Sequence, residues 1–236
     1  KYKIKNDIRS VATKNYLMSQ LVFKFPFKTK YYEQDYYVSS NNFSAYRLIE
    51  SWPNWPDKCV NIFGPKGSGK THLSNIFIKK IQSQYIEAKD LKNIDIIKNI
   101  EKMECLIIDD YKNNIEEKEF YSVLNFLKQT NKHLIINSIF PIKDEKVKLK
   151  DLKSRLNSFI HIGIDLPTDE LLRVIISKYF SDKQIDLTTK ISEYIIKNIE
   201  RSYEKVFKFI KKIDDLSLSS GKSININLIK RVLTNE

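Results

Sequence analysis

Apolar and polar positions change period several times along the chain, and each change marks an element. Cys59-Val60-Asn61-Ile62-Phe63 is a short apolar run bounded by turn residues, the pattern of a buried strand. From Thr71 to Gln82 the apolar residues recur at helical spacing. The alternation continues with a strand over Gln84 to Ala88, a helix over Asp90 to Ile100 and a strand over Glu104 to Asp110. A helix over Glu116 to Gln129, a strand over Leu134 to Asn137, a helix over Leu149 to Asn157 and a strand over Phe159 to Ile164 follow. Five strands separated by helices predict an α/β fold with a parallel, doubly wound sheet covered on both faces. After Leu166-Pro167 the strand pattern stops. Asp169 to Phe180, Lys190 to Asn198, Tyr203 to Ser217 and Asn227 to Leu233 read as helices, so a small all-α unit is expected over 168–236.

The stretch before the first strand is less regular. Residues 1–19 are polar and weakly patterned, an extension expected to be poorly ordered, with Met18 near its end as a possible usual start. In Gln20-Leu21-Val22-Phe23-Lys24-Phe25 the apolar side chains alternate at Leu21, Phe23 and Phe25, with Phe27 next in phase. Period two means an extended segment, either an edge strand or a linear motif that inserts alternate side chains into a partner's pockets. The expected α/β unit runs over 28–167. Within it Tyr36 to Ser40 reads as extended and Asn42 to Ser51 as a helix. Trp52-Pro53-Asn54-Trp55-Pro56 is a stiff connector, because each proline disfavours the α conformation before it. Its tryptophans read as core plugs.

The chemistry is concentrated in Gly64-Pro65-Lys66-Gly67-Ser68-Gly69-Lys70-Thr71, which fits the G-x-x-x-x-G-K-[ST] phosphate-binding loop at every fixed position. Three of the five glycines of the chain fall in it. Backbone N–H groups would cradle the phosphates of ADP or ATP, Lys70 would reach the terminal phosphates, and the Thr71 hydroxyl would ligate Mg²⁺. Cys105-Leu106-Ile107-Ile108-Asp109-Asp110 has the form of the partner strand, apolar and central with carboxylates at its C-terminal end. Asp109 would hold Mg²⁺ through its water shell, and Asp110 would orient or deprotonate the attacking water. Asn137 and Ser138 end the next strand, where a polar side chain can bond that water or the γ-phosphate; a plain turn before Pro141 explains them equally well. Ser154-Arg155 closes a helix, where an arginine would face a neighbouring molecule's nucleotide, a surface ion pair being the alternative.

Composition narrows this picture only slightly. The net charge of +12 invites a nucleic-acid reading, yet of 41 basic residues only Arg9, Arg47, Arg155, Arg173, Arg201 and Arg231 are arginine. Scattered lysines form solvated faces. No run approaches the ~18 to 20 apolar residues of a membrane span, and Lys1 to Ser10 lacks the apolar segment of a signal peptide, so no membrane partner and a cytoplasmic location are expected. Cys59 and Cys105 read as two buried thiols, and the three histidines have no ligand spacing.

Phosphate loop, paired acids, polar strand end, Ser-Arg helix and helical cap come in the order of the AAA+ ATPases, and the chain resembles their DnaA clade from about Gln20 to Leu233. Gly64 to Thr71 followed by His72-Leu73 is similar to that clade's Walker A region, and Asp151-Leu152-Lys153-Ser154-Arg155-Leu156 to its box VII. The resemblance implies that Arg155 acts in trans on a neighbour's ATP. It also implies that Gln20, Leu21, Phe23 and Phe25 form a motif for the replication sliding clamp, the β subunit of DNA polymerase III. Two features make the Hda-type regulators of this clade the nearer likeness. The chain ends at Glu236 without a helix-turn-helix unit, and the segment from Ala88 to Glu104 is too short for the initiators' helical insertion. That likeness implies a weak ATPase that binds ADP or ATP with Mg²⁺, forms homodimers or larger homo-oligomers, and reaches DNA through the clamp. It would stimulate ATP hydrolysis by DnaA and so inhibit replication initiation. A DNA-acting helicase loader or initiator fragment is the alternative. One position departs from the pattern: Glu204 stands where the clade has a phosphate-sensing arginine, which leaves Arg201 as the substitute.

Overall fold

A computed structural model describes residues 31–92, 102–185, 187–221 and 224–233. The segment Gln20 to Phe27 and nearly all of the helix expected over Asp90 to Ile100 lie outside the described residues. Five strands form one parallel sheet: β1 (Cys59–Phe63), β2 (Ser83–Glu87), β3 (Cys105–Tyr111), β4 (His133–Ser138) and β5 (Ile160–Gly163), in the order β2-β3-β4-β1-β5. The three middle strands are apolar along almost their whole length because helices cover both of their faces.

On one face α1 (Phe43–Glu50) and α2 (Lys70–Lys80) bury Ala45, Ile49, Leu73, Ile76 and Phe77 against Val60, Ile62, Ile107 and Ile135. Trp52 and Trp55 pack around Phe77 and His133 at ring distances of 4.2–5.8 Å, closing that layer as core plugs. On the other face α3 (Glu117–Gln129) and α4 (Lys150–Ser158) bury Phe120, Val123, Leu127, Leu152 and Leu156 against Leu106, Ile108, Leu134 and Ile136. Successive residues of each strand therefore alternate between the two layers.

Four further helices, α5 (Asp169–Ser181), α6 (Thr189–Asn198), α7 (Tyr203–Ser220) and α8 (Ile226–Leu233), enclose a separate core around Leu172, Phe180, Ile195, Phe209 and Ile229. Thr168 caps α5 by accepting from the Leu171 N–H at 3.2 Å, and Thr188 does the same for α6. The helical group is tied back to the sheet unit by polar contacts. Tyr37 donates to Glu170 at 2.6 Å, Lys178 pairs with Asp35 at 3.0 Å, and Tyr203 donates to the Asp165 carbonyl at 3.2 Å.

The differences from the sequence expectation are at ends. Strand β3 runs one residue past Asp110, and Tyr36 to Ser39 has no ladder partner, its alternation reflecting a wall of tyrosines instead. Cys59 and Cys105 are free thiols, and burial pushes both above the usual thiol value, Cys59 up to about 12, which favours the protonated form at neutral pH.

Candidate nucleotide site

The loop Gly64 to Thr71 joins the C-terminal end of β1 to the start of α2, where parallel α/β sheets bind their ligands. Its backbone can take this path only because glycine stands at three positions, among them Gly64, where a Cβ would come 2.5 Å from the Ile164 carbonyl oxygen. Gly67 and Gly69 have φ of +85° and +93°, and a Cβ at Gly69 would come 3.1 Å from Tyr36 Cε2. A Cβ at Gly67 would come 3.0 Å from Tyr203 Cβ, so the start of α7 lies directly against the loop. The first N–H groups of α2 point toward this turn with the positive end of the helix dipole behind them.

Lys70 Nζ donates to the Gly64 carbonyl at 2.7 Å and the Pro65 carbonyl at 3.0 Å, and Ser68 Oγ lies at 3.4 Å. No carboxylate lies within ion-pair distance of it among the described residues. Burial holds its pKa below the usual lysine value, opposed by Asp109 and Asp110. A desolvated ammonium without a counter-ion beside a glycine cradle suits an anion such as a phosphate chain. Pro65 and Lys66 form the outer, more exposed side of the loop, while Ser68 is buried.

The Thr71 hydroxyl donates to Asp109 Oδ2 at 2.6 Å, so the two residues expected to meet Mg²⁺ are in direct contact. Asp109 is buried, and its other oxygen accepts the Asp110 N–H at 2.9 Å. Tyr85, on the edge strand β2, also donates to Asp109 Oδ2. Asp110 sits at φ +55° with its side chain exposed and ion-paired to Lys112 at 2.7 Å. This carboxylate-and-hydroxyl pair is the donor set that Mg²⁺ takes, and the residues present fit both nucleotide and metal.

The polar end of β4 divides. Asn137 is fully buried, donates to Ser74 Oγ on α2 at 2.8 Å, and leaves its Oδ1 without a partner among the described residues. Ser138 donates to the Phe140 carbonyl at 2.6 Å and accepts from Asn61 Nδ2 at 2.8 Å, so its hydroxyl serves the turn. Its carbonyl accepts the Gly64 N–H at 3.2 Å, which ties the loop to β4 through the backbone.

Beside the loop a cavity of about 550 Å³ opens between α2 and α5, walled by Tyr36, Tyr37, His72, Ile175, Tyr203 and Phe207. It is large enough for a nucleoside and mostly apolar, and it continues to Gly67, Ser68 and Gly69. His72 lies between Tyr31 and Tyr36 with Nε2 2.6 Å from the Tyr32 carbonyl, and burial keeps its pKa below the usual value. The tyrosines of this wall escaped sequence reasoning; the paired Tyr31-Tyr32 and Tyr36-Tyr37 were the available signal. Arg201 does not line the cavity and bonds Asp169 on α5 at 3.1 Å. Glu204 pairs with Lys208 at 2.8 Å, which holds its carboxyl below the usual range.

Arg155 stands elsewhere. It bonds Asn125 on α3, lies 5.2 Å from the centre of the Tyr121 ring, and lines a second cavity of about 780 Å³ with Lys58, Cys59, Lys128 and Lys132. Lys58 and Cys59 are at the entrance of β1, whereas Gly64 follows its exit, so Arg155 is at the opposite end of the sheet from its own loop. The described residues contain no cluster of metal-ligating side chains of the His, Cys, Asp and Glu type, and no helix long and apolar enough to cross a membrane.

A protein-family model described as RNA helicase matches residues 60–140, from β1 to the turn after β4. The chromosomal replication initiator protein DnaA of Buchnera aphidicola subsp. Baizongia pistaciae is 27% identical over 97% of this chain. The chain spans 56% of that relative's length. Among solved structures, domain III of DnaA from Thermotoga maritima superposes with a TM-score of 0.74 at 18% identity, covering 89% of this chain and 98% of that domain. AMPPCP-bound DnaA from Aquifex aeolicus gives 0.65 at 21% identity, over 79% of this chain and 66% of that one. Sheet order, loop geometry and relatives agree: the chain has the AAA+ P-loop fold and is similar to DnaA along nearly its whole length.

Proposed function

We propose that this chain is a nucleotide-binding regulator that promotes ATP hydrolysis by DnaA and so switches the initiator off. ADP or ATP is held by Gly64 to Thr71 through backbone N–H groups and Lys70, with the base and ribose against His72 and the tyrosine wall. Thr71 and Asp109 would hold Mg²⁺, which would supply positive charge to offset that of the phosphates. Asp110 and Asn137 are the polar groups proposed to meet the attacking water, and Asn137 Oδ1 has no hydrogen-bond partner among the described residues. Arg201 reaches the phosphates only by leaving Asp169, so nucleotide sensing by the helical unit is weak in this chain.

The observation that carries the regulatory reading is the place of Arg155. A guanidinium held by Asn125 and Tyr121 at the far end of the sheet is remote from its own loop, which supports a role toward a neighbour's nucleotide. Such an arginine stabilises charge on a transferring phosphoryl group and is worth roughly 10³-fold or more where chemistry limits the rate. Docking on the clamp through Gln20, Leu21, Phe23 and Phe25 would bring the chain to DNA, and homo-oligomers would use the same Arg155 face.

The test is ATP hydrolysis by DnaA with and without this protein and DNA-loaded clamp. Arg155→Ala is expected to bind ADP and clamp normally and to lose stimulation, while a Leu21→Ala, Phe23→Ala double variant loses clamp binding with its melting temperature kept. Full stimulation by Arg155→Ala refutes the reading. A second reading, an AAA+ protein that acts on nucleic acid itself, is favoured by the net charge of +12 and the helicase description of the matched family model. Salt-dependent binding to single-stranded DNA without clamp would support it.

A further inference from the structure

Asp109 is held by donors from three elements. Thr71 on α2 and Tyr85 on β2 both donate to Oδ2, and the backbone N–H of Asp110 on β3 donates to Oδ1. The Thr71 contact belongs to the loop and the Asp110 contact to the strand itself. The Tyr85 contact belongs to neither, and it crosses the sheet.

Its origin is in the register. Tyr85 pairs with Ile107 and Glu87 with Asp109, and in a parallel sheet paired residues point to the same face. Tyr85 and Asp109 are thus on the α2 side, one diagonal step apart, a separation a phenol can span and a shorter side chain cannot. Edge-strand aromatics commonly cover apolar neighbours, and 37% of Tyr85 is exposed. That role needs only the ring. The hydroxyl is what reaches the buried carboxylate, and there it shares an oxygen with the threonine of the phosphate loop.

We infer that Tyr85 is a positioning residue for Asp109, fixing the carboxylate for a divalent cation that arrives with the nucleotide. This rests on the reading of Asp109 as the carboxylate that meets the metal. With Tyr85 bonded to Oδ2 and Asp110 N–H to Oδ1, the carboxylate cannot rotate when the Thr71 hydroxyl turns from it to a cation. Without the phenol hydroxyl one of its two fixed bonds is lost, and the carboxylate must be ordered by the metal itself. Groups that orient a metal-binding carboxylate in this way change metal affinity by roughly 10–100-fold.

The experiment titrates ADP into the full chain by calorimetry, in EDTA and over a series of Mg²⁺ concentrations, for the natural sequence, Tyr85→Phe and Asp109→Ala. Tyr85→Phe keeps the ring, and a urea midpoint checks its fold. The expected result is ADP affinity in EDTA within about two-fold of the natural protein, and a Mg²⁺ concentration for half the metal effect raised by about 10-fold. Asp109→Ala abolishes the metal effect. If Tyr85→Phe keeps the natural Mg²⁺ dependence while Asp109→Ala loses it, the inference fails and the Asp109 reading stands. If the natural protein shows no Mg²⁺ dependence, or Asp109→Ala keeps it, the Asp109 reading fails and takes the inference with it. Equal weakening with and without Mg²⁺, or a gain in Mg²⁺ affinity, also overturns the inference, since ring packing or competition for the carboxylate would then be the role.

Discussion

Asn61 is the residue whose replacement tests how the sheet supports the loop. It lies at the centre of β1, fully buried, and uses both ends of its amide. Nδ2 donates to the Ile136 carbonyl at 3.0 Å and Ser138 Oγ at 2.8 Å, while Oδ1 accepts the Ile142 N–H at 3.0 Å and lies 3.2 Å from His161 Nδ1. Asn61→Ala strands the Ile142 N–H, whose only partner among the described residues is this side chain. A stranded buried donor costs about 1–3 kcal/mol and each of the two lost Nδ2 bonds about 0.5–1.5 kcal/mol, so about 2–6 kcal/mol is expected from these three. That is a large share of the roughly 5–15 kcal/mol by which domains are stable. The turn that Asn61 holds carries the Ser138 carbonyl bonded to Gly64, so the loop loosens with it and ADP affinity falls as well. Urea unfolding followed by tryptophan fluorescence measures the first effect and ADP calorimetry the second. A change under about 1 kcal/mol with an unaltered slope would refute the accounting, because it would mean that water or backbone shifts replace all four contacts. Ser138→Ala, alone and combined with Asn61→Ala, should show the two residues to be coupled.

Three further outcomes follow from the site. Lys70→Ala is expected to weaken ADP and ATP binding in calorimetry by removing the half-buried cation of the loop, and unchanged affinity would contradict the assignment. Gly69→Ala forces an alanine to φ +93° against Tyr36, which costs about 1–2 kcal/mol or more and should lower both the melting temperature and nucleotide affinity. Burial holds His72, His133 and His161 below the usual histidine value of 6.5, so the folded chain prefers them neutral. Their contribution is fully present above that value and is lost as pH falls through the lower folded values. A melting temperature that rises on acidification from pH 7 to 5.5 would contradict this sign.

The loop and its partner strand were legible in the sequence because their chemistry is local. Gly64 to Thr71 needs glycines and a lysine at set spacing, and Cys105 to Asp110 needs an apolar run that ends in acids. The sheet was legible because both faces of its middle strands are covered, which leaves continuous apolar runs. What was not legible is contact between distant segments. Nothing near Asn137 says that it meets Ser74, nothing near Tyr85 says that it meets Asp109, and Arg201 and Asp169 are brought together only by the packing of α5 against α7. Periodicity assigns a side chain to a face, and the neighbour on that face is chosen by a register that alternation alone does not encode.

Strand order also governs how the chain comes to function during its synthesis. Both neighbours of β1 arrive late: Cys59 pairs with Leu134 and Val60 with Ile160, so the strand that launches the phosphate loop lies unpaired until residues far downstream have left the ribosome. Sequential neighbours cannot substitute, since β2 is at the other edge of the sheet. Such long-range pairing is slow and leaves apolar strands open to other chains meanwhile. A nascent chain halted before β4 therefore carries the complete phosphate-loop motif without either strand that pairs with β1, and is expected to bind no ADP.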